Sequence, residues 1–188
     1  NELKTMEAVL ISEDQPNNEI WYTTTDGNPI QLGSTDGFGS TFVEHTYANG
    51  KGKIKFAGEV KTIPDYRFYS KDNLQTVSLP ESITSLGTHS TFAECINLTE
   101  INLPSRLTIL GNWTFYKCKN LSTEIIIPSG VTSISDGVFC GCSKLPNVTL
   151  HDNITIIEDQ PNEKYPGFRL FDDEGIETKK KTVVEKGV

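Results

Sequence analysis

A proline ruler runs through the middle of the chain. Pro80, Pro104 and Pro128 stand 24 residues apart, and each closes an apolar alternation: VSLP (77–80), INLP (101–104) and IIIP (125–128). A fourth copy, VTL (148–150), has His151 in the proline place, 23 residues on. Behind each of these places a second apolar pair follows: Ile83 and Leu86, Leu107 and Leu110, Val131 and Ile134, Ile154 and Ile157. Three of the intervals then carry F-x-x-C-x-x-L, as Phe92, Cys95 and Leu98, then Phe115, Cys118 and Leu121, then Phe139, Cys142 and Leu145. A degenerate copy precedes them through Val60, Ile63, Phe68, Leu74, Val77 and Leu79, with Lys71 in the cysteine place. A period of 23–24 residues is one coil of a solenoid. Such a coil cannot bury its own apolar face and becomes stable only when stacked neighbours share a core. About four and a half coils are predicted over 59–157.

The segments before the prolines alternate with period two and read as short parallel strands. Val77 and Leu79, Ile101 and Leu103, Ile125 and Ile127, and Val148 and Leu150 point inward. Proline ends each strand because it has no N–H to give to the ladder. The Phe–Cys segments are too short for a long helix, and a single turn of helix or 3₁₀ fits them better. The copies differ in length: GTHSTF (87–92) exceeds GNWTF (111–115) by one residue, and LSTEIII (121–127) exceeds LTEINL (98–103) by one. Both insertions lie between template positions, where a loop absorbs them.

An open coil exposes core, so each end needs a cap. Residues 1–18 have little pattern and read as a tail or linker. Residues 19–58 read as an N-terminal β cap, with a hairpin over 19–32 around Asp26 and Gly27 and two further strands around Asn49 and Gly50. After Ile157 the template fails, and 158–188 reads as a C-terminal β hairpin cap or the start of a truncated segment. The chain begins at Asn1 rather than Met, which fits a processed product.

Composition excludes some partners. With 188 residues and a formal net charge of −8, the chain would repel a phosphate backbone, and it has no basic stripe interleaved with aromatics. Nucleic acid is therefore not an expected partner. The basic run Lys179, Lys180 and Lys181 reads as a solvated face. No stretch approaches the ~20 apolar residues of a membrane helix.

The cysteines are the obvious candidates for chemistry. In stacked coils Cys95, Cys118 and Cys142 would lie about 4.8 Å apart with parallel side chains. Their Cβ atoms are then also about 4.8 Å apart, beyond the ~3.5–4.5 Å of a disulfide. A row of three with no recurring histidine is the wrong shape for a tetrahedral metal. They read as structural thiols, with no cofactor or metal site. Cys140 lies outside the template and is expected to be more exposed. His45, His89 and His151 share no repeat position and have no nucleophile partner. Asp36, Asp172, Asp173 and Glu174 could be paired carboxylates but sit in Gly-flanked turn segments. No nucleotide-binding, hydrolase or zinc-protease motif is present. Five Asn-x-Ser/Thr triplets, from Asn97 to Asn153, arise partly from the repeat itself.

The I-x-L-P strands, Val131-Thr132-Ser133-Ile134 and the three F-x-x-C-x-x-L segments together resemble leucine-rich repeats of the BspA-like type. The likeness spans about 60–157, with Thr91, Thr114 and Val138 where the family has alanine and Ser135 where two copies have Gly87 and Gly111. NEIWYTTTDG and NGKGKIKFAG resemble the leaders of such proteins in Bacteroidetes. The resemblance implies a leucine-rich repeat solenoid with small β caps and few short helical turns. It also implies adhesion to protein or glycan on host or neighbouring cells, from an extracellular position that is secreted or lipid-anchored through a removed leader. The expected binding surface is the outward strand columns: Thr76, Glu100, Glu124 and Asn147 in one, Ser78, Asn102, Ile126 and Thr149 in the other. Glu100 stacked on Glu124 would repel unless a cation or basic partner offsets it. The alternatives are a spacer presenting another domain and, behind it, an enzyme of unfamiliar type with a cleft where a cap meets the coils.

Overall fold

The computed structural model describes residues 15–154 and 156–157. The expected hairpin in the C-terminal segment lies outside the described residues. Eleven strands are present among them: β1 (Glu19–Thr24), β2 (Phe42–Ala48), β3 (Lys51–Phe56), β4 (Leu74–Ser78), β5 (Ser85–His89), β6 (Glu100–Ile101), β7 (Ile109–Asn112), β8 (Ile125–Ile126), β9 (Ser133–Ile134), β10 (Val148–Thr149) and β11 (Ile156–Ile157).

Each repeat contributes two strands and a turn. The strand before the proline pairs in parallel with its counterpart one coil on: β4 with β6, setting Thr76 opposite Glu100, and β8 with β10, setting Ile126 opposite Thr149. The second apolar pair also becomes a strand, with β5 parallel to β7 and β9 parallel to β11. Neither row pairs between the second and third coils, so β6 and β8, like β7 and β9, fall in different sheets. The extra residue of LSTEIII lies at this boundary.

The Phe–Cys edge carries a third ladder that does not break there. Phe68 N donates to Thr91 O at 2.9 Å, Phe92 N to Thr114 O at 2.9 Å and Phe115 N to Val138 O at 2.9 Å. Beneath it Phe68, Phe92, Phe115 and Phe139 form one stack, with centroid separations of 4.9, 5.7 and 5.6 Å. These aromatics and the inward Ile, Leu and Val residues make one continuous buried core.

The expected helical turn does not form at this edge. Residues two before and two after each phenylalanine are in the left-handed region: Tyr66 and Ser70, Ser90 and Glu94, Trp113 and Lys117, and Gly137 and Gly141. A left-handed residue on either side interrupts any right-handed helical run. Isolated turns take its place, with Cys95 N donating to Phe92 O at 3.2 Å and Leu98 N to Cys95 O at 3.0 Å.

At the N-terminal end β2 and β3 pair antiparallel across Asn49 and Gly50. The hairpin expected over 19–32 is absent. β1 pairs with β3 on one side and β4 on the other, giving a sheet of order β2-β3-β1-β4-β6. The stretch after β1 turns at once, with Asn28 N donating to Asp26 Oδ1 at 3.0 Å. Pro29 has no N–H for a ladder. Ile30 and Phe38 from this irregular segment are buried, and Phe38 packs 4.7 Å from Phe56. Residues 15–18, grouped by sequence with the upstream segment, are tied to the cap and first coil. Val60 N donates to Asn17 O at 2.8 Å, and Gln15 Nε2 to Ser78 O at 3.0 Å.

Candidate functional site

The outward side of the five-stranded sheet and of β8 and β10 forms the predicted face. Thr76 stands beside Glu100 in register, and Thr23 of β1 extends the row, its hydroxyl 2.6 Å from that of Thr76. Further out, β3 adds Lys51 and Lys53 opposite Thr23 and Trp21. Lys53 Nζ lies 4.8 Å over the Trp21 ring and 3.8 Å from Glu19 Oε2. The face therefore grades from lysines on β3 to glutamates on the coils. The alternation K-x-K-x-K in 51–55 is visible in the sequence, but its place beside the repeat strands is not.

The two predicted columns are not uniform. Ser78 does not point to an open face: it is 1 % exposed, covered by Gln15. Asn102 turns back on the preceding coil, accepting from Leu79 N at 2.7 Å and donating to Leu79 O at 2.8 Å. Its amide closes a backbone pair that the two-residue strand β6 leaves open. Glu124 does not stack on Glu100, because β6 and β8 are unpaired. Its Oε1 accepts from Asn147 Nδ2 at 3.0 Å and from Thr149 Oγ1 at 2.6 Å, so the next coil supplies the donors that relieve it. Ile126 stays in the open at 64 % exposure, in a row otherwise polar.

The cysteines line the inside of the opposite edge. Cys95, Cys118 and Cys142 are buried, and all four cysteines are free thiols. Each Sγ of the row donates to the phenylalanine carbonyl of the coil before: Cys95 to Phe68 at 2.9 Å, Cys118 to Phe92 at 3.2 Å, Cys142 to Phe115 at 3.0 Å. Burial pushes the Cys95 thiol up to about 12 and raises Cys118 well above the usual thiol range. Cys140 is partly exposed. Among the described residues no three His, Cys, Asp or Glu side chains gather as metal ligands would.

Sequence reasoning missed one feature of this edge. One coil places Tyr66 and Tyr69 on the outside of its turn, and the coil two steps on places Trp113 and Tyr116 there. The coil between has Ser90 and Ala93 at the same positions, which leaves a slot of about 410 Å³ with Glu94 at its rim. The signal was present: these aromatics sit two before and one after the template phenylalanine on alternate copies.

Comparison with known proteins bears on the repeat as a whole. A comparison with curated proteins finds no match. A leucine rich cell surface protein from Faecalibacterium prausnitzii is 28% identical, with a TM-score of 0.37 over 58% of this chain and 32% of that one. The T. pallidum Leucine Rich Repeat protein is 20% identical, with a TM-score of 0.34 over 57% of this chain and 67% of that one. This chain thus spans about a third of the length of the first of these. The family model for the BspA type leucine rich repeat region matches residues 51–163 with six copies, a longer run than the four and a half coils counted from the proline ruler. With its phenylalanine stack, parallel strand pairs and repeat spacing all inside that match, the chain belongs to the BspA type leucine rich repeat family.

Proposed function

We propose that this chain is a non-enzymatic binding module of a surface or secreted protein, whose solenoid presents its outward strand face to a protein or glycan on a host or neighbouring cell. The observation that carries the reading is Ile126. It is a large apolar side chain, exposed in a polar row and flanked by Glu124, whose orientation is held by Asn147 and Thr149. An apolar centre inside a pre-oriented polar surround is the arrangement of an interface anchor. Family membership supports an interaction role for the coils, and stacked repeats offer an extended surface for it. Glu100 and the lysines of β3 would set orientation across the same face.

The test is a binding screen against extracellular-matrix proteins and glycans. Each hit is then measured again with the triple variant Glu100→Gln, Glu124→Gln and Ile126→Ser. Glutamine at 124 keeps an acceptor for Asn147 and Thr149, so the melting temperature should stay within a degree or two. Binding should fall by about tenfold or more, the scale of one lost anchor. Unchanged binding would remove this face from consideration.

A further inference from the structure

The aromatic slot on the turn edge is a different surface from the strand face, and its construction narrows what it takes. Tyr66 and Trp113 both sit at φ 58°, where a bulky residue is strained by about 1–2 kcal/mol. The fourth coil puts Gly137 at the same position. Trp113 is also buttressed: its six-membered ring backs on Gly137, where an added Cβ would come within 2.3 Å of Cε3. Within each wall the rings are locked edge to face, Tyr66 on Tyr69 at 6.1 Å and Trp113 on Tyr116 at 5.1 Å. Tyr66 remains 57 % exposed and Tyr69 41 % exposed.

The polar groups at the rim point to a cation. Glu94 places one carboxylate at the slot of a chain with a net charge of −8. The chain's own ammonium already makes both contacts a cationic guest would make: Lys117 Nζ lies 4.7 Å over the Tyr116 ring and 3.7 Å from Glu94 Oε1. The other carboxylate oxygen accepts from Tyr69 Oη at 3.1 Å and Ser70 Oγ at 3.2 Å. A primary ammonium guest would compete for acceptors already in use. A quaternary ammonium carries no N–H and needs no acceptor, and it takes the place of the partly exposed Lys117 ammonium, which swings to solvent and leaves Glu94 to the guest. The walls are two coil steps apart, and the phenylalanines beneath them step by 4.9 and 5.7 Å. A cation midway would lie about 5 Å from either wall, inside the ~6 Å range of cation–π attraction.

We infer that the slot between Tyr66/Tyr69 and Trp113/Tyr116 binds a quaternary ammonium group of the trimethylammonium class, with the rings as walls and Glu94 as counter-charge. Free choline, a choline-bearing headgroup and a trimethyl-lysine side chain share this chemistry. Calorimetric titration of the whole chain with choline tests it against 3,3-dimethylbutan-1-ol, which has the same shape without the charge. Choline should bind about tenfold more tightly or better, the factor expected of one desolvated cation–π contact. Trp113→Leu and Tyr66→Leu should each weaken choline binding by a similar factor, and Glu94→Gln should weaken it too. Should a variant fail to fold, the comparison of choline with its neutral isostere on the unaltered chain still decides. Equal binding of the two, no binding of choline, or a neutral oligosaccharide taking its place would overturn the proposal. Phosphatidylcholine vesicles and a trimethyl-lysine peptide, each in competition with choline, identify the source. The strand-face variant of Glu100, Glu124 and Ile126 should bind choline normally, so the two surfaces stand or fall separately.

Discussion

A thiol in each of three successive coils donates to the carbonyl of the phenylalanine stacked below it. Cysteine suits this place because it is small, largely apolar and still carries one weak donor. Alanine would fill less of the space and leave the Phe92 carbonyl one partner short; we expect Cys118→Ala to lose about 1–2 kcal/mol in chemical denaturation, with Cys118→Ser, which keeps a donor, placed between it and the parent. Reactivity should follow burial. With the Cys95 thiol pushed up to about 12, its thiolate is scarce at pH 8, while Cys140 lies partly open on the turn. A thiol reagent at pH 8 should therefore label Cys140 well before the other three, and rapid labelling of all four in the folded chain would contradict the packing described. F-x-x-C-x-x-L was legible as an inward row from spacing alone. The carbonyl each thiol meets was not, because it belongs to another coil.

At the scale of the element, the unexpected feature is the second strand row. The apolar pairs after each proline were legible as core, but their pairing as β5 with β7 depends on how closely the backbones approach. Gly111 permits that approach: a Cβ there would lie 2.4 Å from the carbonyl carbon of Thr88. Ser135 holds the corresponding place one coil on, and there β7 and β9 do not pair. Glycine is needed at 111 because the Thr88 backbone comes this close, whereas β9 pairs with β11 with Ser135 in its own coil. Gly111→Ala should accordingly cost about 1–3 kcal/mol, as overpacking against a rigid backbone does. Ser135→Ala should fall within about 0.5 kcal/mol of the parent. Urea denaturation of the two variants side by side checks the contrast, and equal effects would refute the close approach at Gly111. The turns show the converse limit. Alternating apolar residues do not disclose a left-handed backbone at Tyr66, Ser90 or Trp113, since none of these is the glycine that would announce it.

For the whole molecule, the cap and the coils are one structure. β1 is hydrogen-bonded on both edges, to β3 in the cap and to β4 in the first coil. Tyr22 of β1, Phe56 of β3 and Phe68 of the first coil belong to the same core cluster. Removing residues up to 57 should therefore uncover the edge of β4 and open the end of the core, a surface prone to pairing with other chains. The shortened chain is expected to run as aggregate in size-exclusion chromatography and to lose its cooperative melt. A monomeric, cooperatively melting product would show that the coils stand without the cap.

The sequence by itself determined the repeat: its period, its inward residues, its family likeness and the shielding of its cysteines. These follow from local periodicity, which one chain repeats often enough to be read. Tertiary structure alone decided which outward residues remain open. Ser78 is covered by Gln15, Asn102 is spent on the backbone of Leu79, and Glu124 is held by Asn147 and Thr149, while Ile126 is left exposed. It also decided that β1 closes on β4, pairing Trp21 with Ser78 and Thr24 with Leu74, and that aromatics from alternate coils face one slot. The physical reason is common to all of these. Stacking brings positions about 24 or 48 residues apart within a few ångströms, and a repeat pattern reports the position a residue holds in its coil, not the side chain that the neighbouring coil sets against it.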